Sequence, residues 1–250
     1  MIDFHAHILS GIDDGARSSA LAVDMLSASY RQGIDTVIST SHCYVTDPAS
    51  IHTFLDRRAA RYARLCAVAN QSPAPLPHIR LGAEVHMERD FSAYPDIDKL
   101  CIEGTDYMLV EMPYGRWRQD LYDCLYSLRL HGIRPILAHI ERYAAHAREF
   151  NNLRGLDLLY QVNADSFFQN PGKRFLAKLY ADGMIHVLGS DMHDMDRRAP
   201  HMQRAVRIIR QKYGKELLLY LQQNAETILE NGSIVQKQFP PLGFWQKIRL

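Results

Sequence analysis

The sequence predicts an α/β fold of parallel βα units, of the kind that closes into a barrel with its working residues at the C-terminal ends of the strands. Three observations carry this prediction. Short β-branched or apolar runs alternate with amphipathic helical runs along most of the chain, as βα units require. The length of 250 residues suits one barrel-sized domain. Histidines and acids recur where successive candidate strands stop, and those ends share one face of a barrel.

The first strand is the apolar start that runs into His5-Ala6-His7. In an extended strand residues i and i+2 share a face, so both imidazoles can address one cation while Ala6 faces away. Gly11 and Gly15 then permit a tight turn that can swing Asp13 or Asp14 back toward the same place. Ser18 or Ser19 caps a helix through about Arg31, with Leu21, Met25 and Leu26 on its apolar face and Gly33 as its stop. The second strand, Asp35 to Thr40, ends at Ser41-His42. Asp47-Pro48 pairs a capping residue with a helix-starting proline, and Ile51, Phe54, Leu55 and Leu65 carry that helix toward Ala69.

Ile79–Glu84 and Tyr107–Glu111 read as the third and fourth strands, each finishing on glutamate, with an irregular piece between Met87 and Gly104. A helix from about Trp117 to His131 places Leu121, Leu125 and Leu128 at helical spacing, and Gly132 ends it. Arg134–His139 is the fifth strand, Leu158–Asn163 the sixth and Met184–Gly189 the seventh, the last followed by Ser190-Asp191-Met192-His193. C-terminal helices follow. Residues 1–238 are expected to form a single domain and residues 239–250 a short tail that docks on its own barrel.

Composition narrows the function. A formal net charge of +1 carries no nucleic-acid footprint and no polybasic membrane patch. No apolar run approaches the roughly 18 residues of a membrane span, and the N-terminus lacks a secretory signal, so a cytoplasmic location is expected. Cys43, Cys66, Cys101 and Cys124 are widely spaced and read as free, mostly buried thiols. None has arginine six positions later, so a Cys-x5-Arg thiolate phosphatase loop is ruled out.

The candidate donors at strand ends are His5, His7, His42, Glu84, Glu111, His139, Asp191 and His193, with an aspartate of the glycine-bounded turn. Imidazole mixed with carboxylate, without thiolate, suits zinc, manganese, iron or magnesium. So many donors exceed the four to six ligands of one ion and imply two or three. Adjacent cations can lower the pKa of a bridging water and neutralise charge on a phosphate ester. Guanidinium groups should then hold the phosphate, and Arg142 with Arg197 or Arg198 lie near the expected mouth. Asp13 is expected to stabilise its turn. His86, on the Glu84 strand face, is a further site candidate, whereas His52, His78, His131, His146, His186 and His201 are expected at the surface or behind the ligands. Tyr114 and Tyr143 could line a substrate pocket or simply pack.

Taken in order, Asp3-Phe4-His5-Ala6-His7, Gly11-Ile12-Asp13-Asp14-Gly15, Ser41-His42, Gly82-Ala83-Glu84-Val85-His86, Val110-Glu111-Met112-Pro113, Ala138-His139-Ile140-Glu141-Arg142-Tyr143 and Gly189-Ser190-Asp191-Met192-His193-Asp194 resemble the motifs of one family. It is the CpsB-like branch of the polymerase and histidinol phosphatase (PHP) superfamily, the metal-dependent protein tyrosine phosphatases of bacterial capsule and exopolysaccharide systems. The resemblance runs from residue 1 to about 232. It implies a distorted seven-stranded, TIM-like (β/α) barrel, the PHP fold, with up to three ions, usually manganese, iron or zinc being the alternatives. By position, His5, His7, Glu84 and Asp191 would bind the first ion, with Glu84 bridging to a second held also by Glu111 and His139. Asp14, His42 and His193 would hold the third, and Arg142 and Arg198 would grip the phosphate. The resemblance also implies hydrolysis of phosphotyrosine on a partner tyrosine kinase by a metal-bridging hydroxide. A small-molecule phosphoesterase, such as a histidinol phosphatase, and a non-catalytic metal-stabilised scaffold are the competing readings.

Overall fold

The computed structural model describes residues 1–153, 155–169 and 173–240. Its elements in chain order are β1 (Ile2–Ala6), α1 (Ser19–Arg31), β2 (Thr36–Ser39), β3 (His42–Tyr44), α2 (Pro48–Ala69), β4 (His78–Leu81), β5 (Glu84–His86), β6 (Tyr107–Glu111) and α3 (Gln119–Leu130). There follow β7 (Arg134–Leu137), α4 (Phe150–Leu153), β8 (Leu159–Asn163), α5 (Lys173–Ala181), β9 (Val187–Gly189), α6 (Met202–Ile208) and α7 (Lys215–Leu229).

Every strand pairing is parallel. β1, β2 and β4 form one sheet, and β3, β5, β6, β7, β8 and β9 the other. The second and third expected strands are each broken into two segments. The Gly82 N–H donates to the Ser39 carbonyl at 2.9 Å and the Glu84 N–H to the Ser41 carbonyl at 3.1 Å, so pairing continues across the break. Counting each broken strand once leaves seven positions around the wall. The wall closes where Ala6 pairs with Met192 and the Asp191 N–H donates to the His5 carbonyl at 2.7 Å. The distorted seven-stranded barrel expected from the sequence is the fold observed.

Several boundaries differ from the sequence reading. His42 and Glu84 do not terminate strands: they open the second segments, β3 and β5, beyond each kink. His139 lies past the end of β7 with φ at +32°, so the strand stops two residues before it. Trp117 precedes α3, its ring stacked on His146 at 4.8 Å.

Side-chain alternation sorts the core into two layers. Ile38, Leu109, Ile136, Leu159 and Val187 cluster with Ala225 and Ile228 of α7, which closes the end of the barrel where the strands begin. Alternate residues such as Val37, Met108, Val110, Leu137 and Leu188 pack outward with Met25, Leu26, Leu121 and Leu125 of the surrounding helices. The helix caps act as read from the sequence. Ser18 accepts from the Leu21 N–H at 3.1 Å, and Asp47 forms a reciprocal capping box with Ser50 ahead of Pro48.

In β1 the register shifts between Asp3 and Ala6, so that two residues oppose one on β2. That extra residue lets Phe4 and His5, adjacent in sequence, both reach the interior: Phe4 joins the lower apolar layer while His5 joins the polar rim above it.

His186 is neither at the surface nor behind the ligands. It is buried at the opposite end of the barrel, beside Tyr160 and Tyr220, and its Nδ1 accepts the Tyr160 N–H at 3.2 Å. Burial pushes its pKa down to about 4 from 6.5. The unfolded chain therefore binds more protons than the folded one between these values, and stability present above pH 6.5 is lost as pH falls toward 4. His186→Gln, which retains an acceptor but does not titrate, is expected to remove a slope of up to about 1.4 kcal/mol per pH unit. Urea unfolding of both proteins across this range measures the difference.

Phe239 packs on the barrel's own helices, its ring 5.3 Å from Tyr180 and 5.4 Å from Tyr220. The rest of the expected tail, residues 241–250, lies outside the described residues.

Candidate metal centre

The rim gathers the predicted residues. His5 rises from β1, His7 from just past its end, Asp14 from the turn that follows, and His42 from the start of β3. Glu84 opens β5, Glu111 ends β6, His139 follows β7, and Asp191 and His193 follow β9. Glu84 is central. Its Oε2 lies 3.1 Å from His5 Nε2, 3.2 Å from His7 Nε2 and 3.0 Å from His42 Nδ1, and its Oε1 accepts from His139 Nε2 at 2.8 Å. Glu111 Oε1 stands 3.4 Å from the same His139 nitrogen. Asp191 Oδ1 is 3.5 Å from both His5 Nε2 and His7 Nε2. Asp14 Oδ1 lies 3.5 Å from His42 Nε2 and 3.2 Å from His193 Nε2.

Hydrogen bonds on the far sides of the imidazoles fix which nitrogens face the centre. His5 Nδ1–H donates to Gln161 Oε1 at 3.0 Å, and His7 Nδ1–H donates to Asp13 Oδ2 at 2.9 Å. Their Nε2 atoms, left with lone pairs, face one another at 3.0 Å. Two lone pairs at that distance repel unless positive charge, a proton or a metal cation, lies between them. His193 Nδ1–H is likewise spent on the Asp191 carbonyl at 2.9 Å, leaving its Nε2 buried and unpartnered. Glu84 Oε2 and His42 Nδ1 approach to 3.0 Å, yet neither has a hydrogen-bond partner. Converging lone pairs of nitrogen and carboxylate oxygen, without sulfur, fit hard or borderline divalent cations.

The donor atoms fall into three overlapping groups within 4.8 Å: His7, Asp14, His42 and His193; His5, His7 and Glu84; and His42, Glu84 and Glu111. His7, His42 and Glu84 each serve two groups, and of these the Glu84 carboxylate, with two oxygens, is the ligand able to bridge adjacent ions.

Electrostatics agree. Burial alone would raise Glu84, but His5, His139 and His42 outweigh it and hold the carboxyl well below its usual range. Asp191 behaves in the same way, burial being overcome by His5, His7 and Arg142. Burial disfavours charge on His7, yet Asp13, Asp191 and Glu84 together hold its pKa well above normal, and burial opposed by Glu111 and Glu84 leaves His139 at about 9. Glu84 and Asp191 are thus ionised, and His7 and His139 hold protons that a divalent ion would displace, whereas burial and the neighbouring His7 push His193 down to about 4.

Asp13 stays with its turn, accepting the Gly15 N–H at 3.0 Å and the His42 N–H at 3.0 Å while it orients His7. Arg142 donates to Asp191 Oδ2, and Arg198 donates to Asp191 Oδ1 at 2.6 Å. Arg198 rather than Arg197 therefore reaches the rim. His86 Nδ1 lies 2.8 Å from Glu111 Oε2 and braces that carboxylate. Tyr143 is core packing, its hydroxyl spent on the Met112 carbonyl at 2.8 Å, whereas Tyr114 is exposed beside it.

The sequence reading missed Gln161 and Asn163 of β8. Gln161 Oε1 accepts from both His5 Nδ1 and the His139 N–H, and its Nε2 donates to Asn163 Oδ1 at 2.8 Å; Asn163 Nδ2 donates to Asp191 Oδ2 at 2.9 Å. One amide pair thereby orients three candidate ligands. Two amides at i and i+2 inside an apolar strand were the available signal. Gly189 is required beside them, because a Cβ there would lie 2.5 Å from the His5 Cβ.

Cys43, Cys101 and Cys124 are buried, and burial pushes each thiol up to about 12, so none of the three offers a thiolate near neutrality.

A closed parallel barrel with this rim defines a metal-dependent hydrolase of the PHP type, and the comparisons with known proteins give the particular family. The chain belongs to the capsular polysaccharide synthesis family CpsB/CapC, which matches residues 1–230. It is 31% identical to the tyrosine-protein phosphatase YwqE of Bacillus subtilis over 97% of this chain and 96% of that protein. It is 32% identical to the tyrosine-protein phosphatase CpsB of Streptococcus pneumoniae over 86% of this chain and 91% of that protein. A crystal structure from work on YwqE and CpsB, described there as unique metal-dependent tyrosine phosphatases, matches with a TM-score of 0.79 and 30% identity, covering 97% of this chain and 100% of the other. The phosphotriesterase homology protein of Escherichia coli, at 10% identity and a TM-score of 0.52 over 91% of this chain and 98% of its own, shares the fold alone.

Proposed function

We infer that this chain is a metal-dependent protein tyrosine phosphatase. The observation that carries the reading is the facing pair of His5 and His7 lone pairs beside Glu84 Oε2, a site built for positive charge. Two or three divalent ions, manganese foremost, would be held by His5, His7, Asp14, His42, Glu84, Glu111, His139, Asp191 and His193. When bound, they supply Lewis-acid activation of water and neutralise the phosphoryl group.

The protein's own residues do the rest. Gln161 and Asp13 hold the His5 and His7 imidazoles in the tautomer that presents Nε2. Arg142 and Arg198 bring two guanidiniums to one carboxylate at the mouth, where they would grip the non-bridging phosphate oxygens. Tyr114 is exposed beside Tyr143, where a side chain projecting from another protein would meet it. The phosphoprotein is expected to be a bacterial tyrosine kinase that controls polysaccharide synthesis, as the relatives' names and the family's description suggest. Among the described residues no helix is long and apolar enough to cross a membrane. A cytoplasmic site of action belongs to the same reading, since ATP-dependent kinases work there.

Chelator treatment is expected to abolish hydrolysis of a phosphotyrosine peptide, manganese to restore it, and thiol alkylation to leave it unchanged. Equal rates for stripped and reloaded protein would sink the reading. Specificity constants that favour histidinol phosphate or a nucleotide over the peptide would replace the substrate while keeping the site.

A further inference from the structure

A cavity of about 1010 Å³ lies outside the candidate metal centre but against it, between the chain that leaves β5 and the segment joining β6 to α3. Arg89, Arg116 and Arg118 stand around it, with Trp117 and Tyr122 among its lining. Glu88 links it to the rim: its Oε1 is 3.4 Å from His86 Nε2, and His86 Nδ1 is 2.8 Å from Glu111. One histidine therefore separates the cavity from a candidate ligand.

The arginines differ in what already occupies them. Arg118 is neutralised by Asp120, at 3.0 and 2.6 Å, and also donates to the Glu88 carbonyl at 2.9 Å. Among the described residues Arg89 donates only to a neutral carbonyl, that of Thr46, at 3.3 Å. Arg116 is exposed and has no hydrogen-bond or ion-pair partner among the described residues. Two guanidiniums thus reach this cavity with no carboxylate of their own. A second cavity of about 610 Å³, lined by Asp13, Asp14 and Asp47 with Arg57, adjoins it along the neighbouring strand β3, where the Thr46 carbonyl accepts from Arg89.

We propose that the Arg89–Arg116 cavity is a docking groove for Asp and Glu side chains that flank the phosphotyrosine in the substrate chain. The assignment rests on the phosphotyrosine phosphatase reading and deepens it. In an extended peptide, side chains two residues apart are about 7 Å apart, so carboxylates a few residues from the phosphotyrosine can reach a groove one histidine away. Guanidinium is the group that takes a carboxylate through two parallel hydrogen bonds.

The test compares phosphotyrosine peptides carrying Glu or Gln at the flanking positions on either side, with p-nitrophenyl phosphate as a substrate too small to reach the groove. For the wild-type protein at low salt, kcat/KM is expected to be about tenfold higher for the peptide with Glu on one flank, and to converge on the Gln peptide as salt screens the contact. The Arg89→Gln, Arg116→Gln double variant should lose the preference with its p-nitrophenyl phosphate rate unchanged. Arg89→Lys with Arg116→Lys, which keeps the charge, should retain most of it. A second arm measures binding of a fluorescein-labelled, unphosphorylated Glu peptide by anisotropy and needs no turnover. If p-nitrophenyl phosphate is hydrolysed while Glu peptides are neither preferred nor bound, or if the preference survives in the double Gln variant, the groove assignment is wrong. If the Glu peptide binds in an Arg89- and Arg116-dependent way and no phosphotyrosine substrate is hydrolysed, the groove stands and the phosphatase reading falls.

Discussion

Glu84→Gln is expected to lower kcat/KM on a phosphotyrosine peptide by roughly a thousandfold, corresponding to about 4 kcal/mol of lost transition-state stabilisation. The residue is fully buried and within 3.2 Å of three imidazoles through one oxygen, while its other oxygen accepts from a fourth. The amide keeps the size and one acceptor, but it removes the negative charge that draws cations to the centre and turns one end into a donor pointed at lone pairs. Bound metal should fall with activity. Wild-type protein should also gain thermal stability on adding manganese, because an ion that binds only the folded form stabilises it by mass action, and the variant should lose that gain. These two measurements separate the metal role from a purely structural one. A buried carboxylate that merely balanced protonated histidines would lower the melting temperature on substitution and leave metal content and the rate per folded molecule intact. Full metal occupancy with an unchanged rate in Glu84→Gln would remove Glu84 from the centre.

How much of this was legible in the sequence follows from which interactions are local. The His5-Ala6-His7 alternation, the Ser18 and Asp47 caps and the parallel βα order depend on neighbours a few residues away, and all appear where the sequence places them. The convergence of Glu84, His139 and Asp191 was also readable, because parallel strands bring their ends to one face whatever the intervening helices do. Positions set by closure were not readable. The breaks at Thr40-Ser41 and at Gly82-Ala83 arise where the strands meet both sheets; Gly82 is a local hint of a bend, but the kink itself is imposed by long-range pairing. His139 and Asp191, with φ at +32° and +54°, sit in a left-handed conformation that such residues rarely adopt, held there by bonds from distant strands. Gln161 and Asn163 have meaning only once His5 and Asp191 are beside them. His186 shows the converse: a histidine near a ligand in sequence lies at the wrong end of its strand.

Arg142 has the second largest expected effect, and its geometry allows two roles. It donates to Asp191 Oδ2 and shares that carboxylate with Arg198 and Asn163. It could therefore act through Asp191, holding a candidate ligand in place, or on substrate, holding phosphate oxygens. Arg142→Lys distinguishes them because lysine keeps the charge beside Asp191 but loses the planar fork that spans two oxygens. If the guanidinium grips phosphate, Arg142→Lys should lower kcat/KM by about a hundredfold and weaken competitive inhibition by inorganic phosphate in parallel, with manganese content unchanged. If it only positions Asp191, the lysine should restore most of the activity lost in Arg142→Ala, metal content should fall in Arg142→Ala and recover in Arg142→Lys, and inhibition by phosphate should not move. The first pattern is expected. Asn163 donates at 2.9 Å to the same Asp191 oxygen as Arg142, so that oxygen stays partnered when the guanidinium leaves it. Arg142 is then the guanidinium that can exchange its carboxylate for a phosphate without releasing the ligand.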